Sequence, residues 1–85
     1  MKSASGLKSL RSHIDALDAE LIRILTERFG LCNDIAEMKR QAEMPIHDRS
    51  REEAILKAVK KSGLERKFAE RLFRLILKES KRIQQ

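Results

Sequence analysis

Arg28 is a guanidinium on a stripe that is otherwise apolar. Leu7, Leu10, Ile14, Leu17, Leu21, Ile24, Leu31, Ile35 and Met38 recur in alternating steps of three and four, and Arg28 fills the gap between Ile24 and Leu31. This is the a/d seam of a helix that packs along its length on another helix. A guanidinium buried there is costly unless an anion meets it. Lys39 follows Arg28 by eleven residues, so the two point the same way about 16 Å apart along the axis. Two long side chains converging from there leave room for a small dianion. Arg11 borders the same seam but lies roughly 25 Å from Arg28, too far to reach the Lys39 end from its own helix. An antiparallel second copy would bring its Arg11 in from the other side. The geometry that buries the seam would then also complete a cationic pocket.

Two carboxylates and two neutral polar groups extend the pattern. Asp48, Glu52, Ile55 and Val59 fall at helical spacing on one face, so both carboxylates share a stripe with core residues. Ser80 follows Ile76 by four and Phe73 by seven, and Gln84 follows Ser80 by four. They continue an apolar stripe at its C-terminal end. Plainer roles are open to the same residues. Arg28 could set coiled-coil register or reach to the edge of the seam. Arg11 and Lys39 taken singly would be solvated cations. Asp48, Arg51 and Glu52 could be an ordinary helix start with an ion pair, and Ser80 and Gln84 could be surface residues near a terminus. Cys32 has no His at a nucleophile-like spacing and reads as a small core residue. His13 and His47 read as surface and belong to no metal-ligand spacing. There is no Gly-rich phosphate loop, and neither a metal nor another cofactor is expected.

The elements that must position these groups are helices. The first is expected from near Leu7 to about Ala42, with Met1–Gly6 frayed. At 1.5 Å per residue it would be a rod of roughly 50 Å. That is longer than a compact chain of this length is wide, a width of roughly twice its ~12 Å radius of gyration, so a lone copy would leave half of the seam in water. Gly30 weakens the rod by ~1 kcal/mol relative to Ala and would permit close approach of a neighbour. Met44-Pro45 stops the helix, because proline disfavours the α conformation in the residue before it. Asp48 or Ser50 would cap a second helix that carries Ile55, Leu56 and Val59 inward and closes at Ser62-Gly63. A third helix starts at about Leu64 or Glu65 with Phe68, Leu72, Phe73, Leu75, Ile76, Leu77 and Ile83 as a broad apolar face. The class is all-α: one long helix and two shorter ones in a single domain over residues 1–85.

Composition narrows the partners. The chain has 85 residues, 19 Lys and Arg against 13 Asp and Glu, and a net charge of +6. A small chain buries little surface alone, and the positive charge favours anions. A single cysteine allows no internal disulfide, which fits a reducing compartment such as the cytoplasm. The N-terminus has no apolar h-region of a secretory signal, and no run approaches the roughly 20 apolar residues of a membrane span. The basic residues are spread over all three helices with no aromatic platform, which disfavours nucleic acid.

Together the segments LRSHIDALDAELIRILTERF, IAEMKR, PIHDRSREEAIL and LFRLILKESKRIQ resemble an AroQ-class chorismate mutase over about Leu7 to Gln84. The resemblance implies an intertwined, all-helical homodimer with two active sites, each borrowing one arginine across the interface. It implies conversion of chorismate to prephenate toward Phe and Tyr. By the same resemblance Arg28, and Arg11 from the other subunit, clamp the two substrate carboxylates. Lys39 meets the breaking ether oxygen and a carboxylate, and Gln84 is the second donor to that oxygen. Glu52 and the Asp48 region contact the ring hydroxyl, Ser80 a carboxylate, and Arg51 supports the pocket. Ile35, Ile55, Leu77 and Cys32 would line it. Rival readings are a pyruvate-lyase acting on isochorismate or a mutase for the amino analogue of chorismate on the same scaffold, a catalytically silent helical interaction module, and, against the charge distribution, nucleic-acid binding.

Overall fold

A computed structural model describes residues 4–43 and 49–85 of the chain. The described residues form three helices: α1 (Ala4–Ala42), α2 (Arg49–Lys60) and α3 (Arg66–Gln84). The all-α class is as the hydrophobic periodicity requires. Helix α1 begins three residues ahead of Leu7, taking in Ala4–Gly6. The Met44-Pro45 stop and the Asp48 cap lie outside the described residues. Ser50 is not a cap, because its backbone is already inside the first turn of α2.

Helix α1 contains no proline, and local pairs support its exposed side. Arg23 bonds Glu27 at 3.0 Å and Glu20 from Nε at 3.2 Å. Arg40 pairs with Glu37. The hydrogen bond from Arg23 holds the Glu20 carboxyl below the usual carboxylate range, and that from Arg40 does the same for Glu37. Lys39 and Arg40 in the last turn complement the negative end of the helix dipole. The helix closes with Glu43 in the left-handed region at φ 55°, its N–H donating to the Arg40 carbonyl at 3.4 Å.

The link between α2 and α3 is made by side chains. No described glycine has a positive φ, so Gly63 does not provide a left-handed cap for α2. Closure comes from Lys61 N–H to the Ala58 carbonyl and Ser62 N–H to the Val59 carbonyl, both 3.1 Å. The Ser62 hydroxyl adds a bond to the Val59 carbonyl at 2.7 Å and accepts from Leu64 N–H at 3.3 Å. Glu65 caps α3 with extended backbone, its carboxylate accepting from Lys67 N–H at 2.6 Å and Phe68 N–H at 3.1 Å. A carboxylate suits that end because it satisfies orphan donors and faces the positive end of the dipole.

The chain divides into two units at Gly30, inside α1. In the first unit the seam is open to solvent: Leu7, Leu10, Ile14, Leu17, Leu21 and Ile24 each keep 47–56% of their surface exposed. Leu25, Arg28 and Phe29 are half-buried. A Cβ added at Gly30 would meet nothing within 4 Å, so no approach within the chain requires this glycine.

The second unit, residues 31–85, holds a core of small side chains. Cys32 and Ala36 from α1, Val59 from α2, and Ala69, Leu77 and Ser80 from α3 are buried, and α2 packs on α3. Cys32 is the small core residue its surroundings in sequence suggest. The buried stripe of α1 is therefore Cys32–Ala36, one residue round from the seam. Leu31, Ile35 and Met38 on the seam itself stay exposed. On α3 the inward face is narrower than its apolar sequence, since Phe68 and Leu75 are exposed.

Candidate functional site

The stripe that carries Cys32 and Ala36 inward reaches Lys39 one turn later, half-buried near the end of α1. Its Nζ donates to Gln84 Oε1 at 3.3 Å, joining the last turns of α1 and α3 across 45 residues of sequence. Gln84 is half-buried as well. With Oε1 on the lysine, the amide Nε2 is directed elsewhere as a second donor. A cationic and a neutral donor thus lie side by side, an arrangement able to grip one oxygen atom.

One turn back along α3, Lys81 Nζ meets Glu52 Oε1 at 2.8 Å, which ties α3 to α2. Lys81 and Gln84 are three residues apart and share a helix face. Ser80 is buried, and its hydroxyl donates to the Ile76 carbonyl at 2.8 Å. That bond satisfies the hydroxyl proton within its own helix and leaves oxygen lone pairs as acceptors. Leu77 is buried, Ile55 half-buried, Ile35 at the edge of exposure, and Arg51 exposed.

Lys39, Glu52, Ser80 and Gln84 therefore lie in one compact unit, and Lys39–Gln84 are in direct contact. Asp48 lies outside the described residues. Arg11 and Arg28 belong to the first unit. There Arg11 is exposed, and Arg28 is half-buried with its guanidinium 5.8 Å from the Phe29 ring centre. The partner of Glu52 is the residue that spacing arguments missed. Lys81 follows Leu77 by four and precedes Gln84 by three, and that spacing on the face of α3 was the available signal. Among the described residues no group of three His, Cys, Asp or Glu could hold a metal ion. No described helix is long and apolar enough to cross a membrane.

The described residues are thus all-helical without a described strand, and one unit brings together a lysine–glutamine pair and a carboxylate. Residues 10–85 match the family chorismate mutase type II, and the chain belongs to that family. It is 36% identical over 84 residues to the T-protein of Haemophilus influenzae, covering 94% of this chain and 22% of that protein. It is 34% identical to the bifunctional chorismate mutase/prephenate dehydratase of Escherichia coli K12, covering all of this chain and 23% of that protein. The chain thus spans less than a quarter of the length of these two relatives. It matches the chorismate mutase of Methanocaldococcus jannaschii at 29% identity, over 92% of this chain and 83% of that protein. A conserved hypothetical protein from Pyrococcus furiosus has a similar solved structure, with TM-score 0.79 and 34% identity, covering 99% of this chain and all of that one.

Proposed function

We propose that the chain catalyses the rearrangement of chorismate to prephenate. The observation that carries this reading is the Lys39–Gln84 contact at 3.3 Å. These are the two residues that the family pattern assigns to a single atom, the ether oxygen of the substrate. Family membership and the 83% coverage of the Methanocaldococcus jannaschii chorismate mutase support it.

The reaction is unimolecular: one C–O bond breaks as one C–C bond forms, with no atom gained or lost. It needs no nucleophile and no general base. It needs the dianion folded so that the reacting carbons are in contact, which a positioned clamp supplies by removing rotational freedom beforehand. Arg28, with Arg11 of the partner subunit, is assigned that clamp from the sequence pattern, in an intertwined homodimer with two such sites. As the C–O bond lengthens, charge gathers on the ether oxygen. Lys39 and the Gln84 amide, held in place beforehand, stabilise it without the reorganisation that water requires, each worth a rate factor on the order of 10²–10³. Glu52, with Asp48, accepts from the ring hydroxyl, Ser80 meets a carboxylate, Arg51 supports the pocket, and Ile35, Ile55, Leu77 and Cys32 line it. The cytoplasm is the compartment that suits a free Cys32 and a soluble metabolite.

The test is to mix the purified protein with chorismate, follow the loss of its ultraviolet absorbance, and identify the product. Prephenate at a rate well above the uncatalysed reaction is expected. Release of pyruvate from isochorismate, turnover of the amino analogue alone, or no turnover of any of them would replace this reading with one of its rivals.

A further inference from the structure

Glu52 and Lys81 differ in kind from the ion pairs on the helix surfaces. Arg23–Glu27, Arg40–Glu37, Arg66–Glu70 and Arg82–Glu79 each join residues three or four apart on one helix, as any exposed helix allows. Glu52–Lys81 instead joins α2 to α3, with Oε1 and Nζ 2.8 Å apart and the carboxylate side chain only 20% exposed. Helix spacing cannot produce this contact; the packing of two elements does. It sits one turn from Gln84, at the end of α3 that meets Lys39.

We propose that Lys81 is a specificity-determining residue, which by pairing with Glu52 makes this subsite accept a neutral hydroxyl and reject an ammonium. The proposal rests on the assignment of Glu52 to the ring hydroxyl of the substrate. A carboxylate has about four acceptor positions, so one bond from Lys81 does not exhaust it, and a hydroxyl can still donate to it. A carboxylate with no cation beside it would attract an ammonium even more strongly than a hydroxyl. With Lys81 in place the carboxylate charge is already neutralised. An ammonium approaching the same carboxylate would lie within a few ångströms of Nζ, where like charges repel in a partly desolvated site. Lys81 touches no reacting atom; it acts through Glu52. The discrimination therefore falls between two substrates of the same shape, chorismate and its amino analogue, which replaces the ring hydroxyl with an amine.

The experiment compares kcat/KM for these two compounds in the parent, Lys81→Met, Lys81→Gln and Lys81→Arg. The methionine keeps the apolar stem, the glutamine keeps a polar end, and both remove the charge; the arginine retains it. Expected is a parent that prefers chorismate, a preference that shrinks about tenfold or more in both neutral variants, and retention of the preference in Lys81→Arg. The shift should fall mostly on the amino analogue, and far-ultraviolet circular dichroism should be unchanged. A purely structural role would lower both substrates by one factor and leave the ratio alone, and that result would overturn the proposal. So would a ratio that shifts equally in Lys81→Arg. A parent that does not convert chorismate removes the reading of Glu52 and this proposal with it. A parent that converts chorismate, with an unmoved ratio in the neutral variants, removes this proposal only.

Discussion

Lys39 Nζ stands 3.3 Å from Gln84 Oε1, so the last turns of the first and last helices share one polar contact. A hydrogen bond of that length is near the long end of the normal range. It is the geometry of two groups that lie beside each other, within reach of a common third atom. If that atom is one ether oxygen, the two side chains act as a unit. Lys39→Ala should lower kcat/KM by roughly 10²–10³, with a comparable loss for Gln84→Ala. The double variant should lose much less than the product of the two, because the second removal takes away support already compromised. Full additivity in this cycle would assign the two side chains to different atoms.

Arg11 and Arg28 are assigned to the substrate from sequence, and their assignment to different subunits makes a sharper test than either variant alone. Each single Arg→Ala chain should keep its helicity and lose orders of magnitude in activity. In a mixed dimer one site lacks both arginines and the other keeps both. Equimolar mixing with full subunit exchange should then restore roughly a quarter of the parent activity, half of the dimers being mixed with one sound site each. If exchanged samples regain nothing, the cross-subunit assignment of Arg11 is wrong.

The uncovered seam gives the oligomeric expectation. Leu7, Leu10, Ile14, Leu17, Leu21 and Ile24 are each about half exposed in the chain by itself, an apolar stripe far longer than isolated surface residues would make. Covering it with a second copy couples folding to association. The thermal midpoint should therefore rise with protein concentration. A folded monomer by sedimentation at micromolar concentration would be the contrary result.

Much of this arrangement was legible in the residues because two periodicities are strong. The alternating three–four seam announced α1 to within three residues of its start, and Glu65 was within reach as the start of α3. What was not legible depended on packing. The a/d seam is the loudest apolar signal in α1, yet the chain buries the adjacent stripe of Cys32 and Ala36. Small residues mark where another helix comes close but carry little hydrophobic weight in a pattern. Lys81 was hidden for a similar reason. A lysine three residues from Gln84 looks like a solvated cation until α2 brings Glu52 against it. Ser62-Gly63 read as a glycine cap, but the serine hydroxyl closes the helix instead.

Two backbone positions, one inside α1 and one just past its end, predict stability changes without touching the site. Gly30 lies off the seam, and a Cβ there meets nothing, so Gly30→Ala should stabilise by about 1 kcal/mol through helix propensity. Glu43 is held at φ 55° just past the helix end, a conformation costing an L side chain on the order of 1–2 kcal/mol. Glu43→Gly should relieve most of that, less the entropy glycine adds to the unfolded chain. Glu43→Val should destabilise, since a β-branched side chain suits a positive φ least. Denaturant midpoints at fixed protein concentration measure all three. A loss of stability in Gly30→Ala would mean that a partner helix approaches there.

Gln84 offers the test that separates a donor from a bystander at the end of α3. Its amide is neutral, so the donor it provides persists across the whole pH range of the assay. In Gln84→Glu, donation to the ether oxygen requires the protonated form of the introduced carboxyl. Once ionised, the group repels the charge gathering on that oxygen and pairs with Lys39 instead. The dianionic substrate raises the pKa of the new group and Lys39 lowers it, but the sign of the activity change is the same in either case. Activity should be highest in acid and fall as pH rises through that pKa, while the parent shows no such fall over the same range. A bystander at this position predicts that the two kcat/KM profiles superimpose at every pH. Superimposable curves would remove Gln84 from the reaction and leave Lys39 as the single assigned donor to the ether oxygen, its 3.3 Å contact with the amide then serving only to fasten α1 to α3.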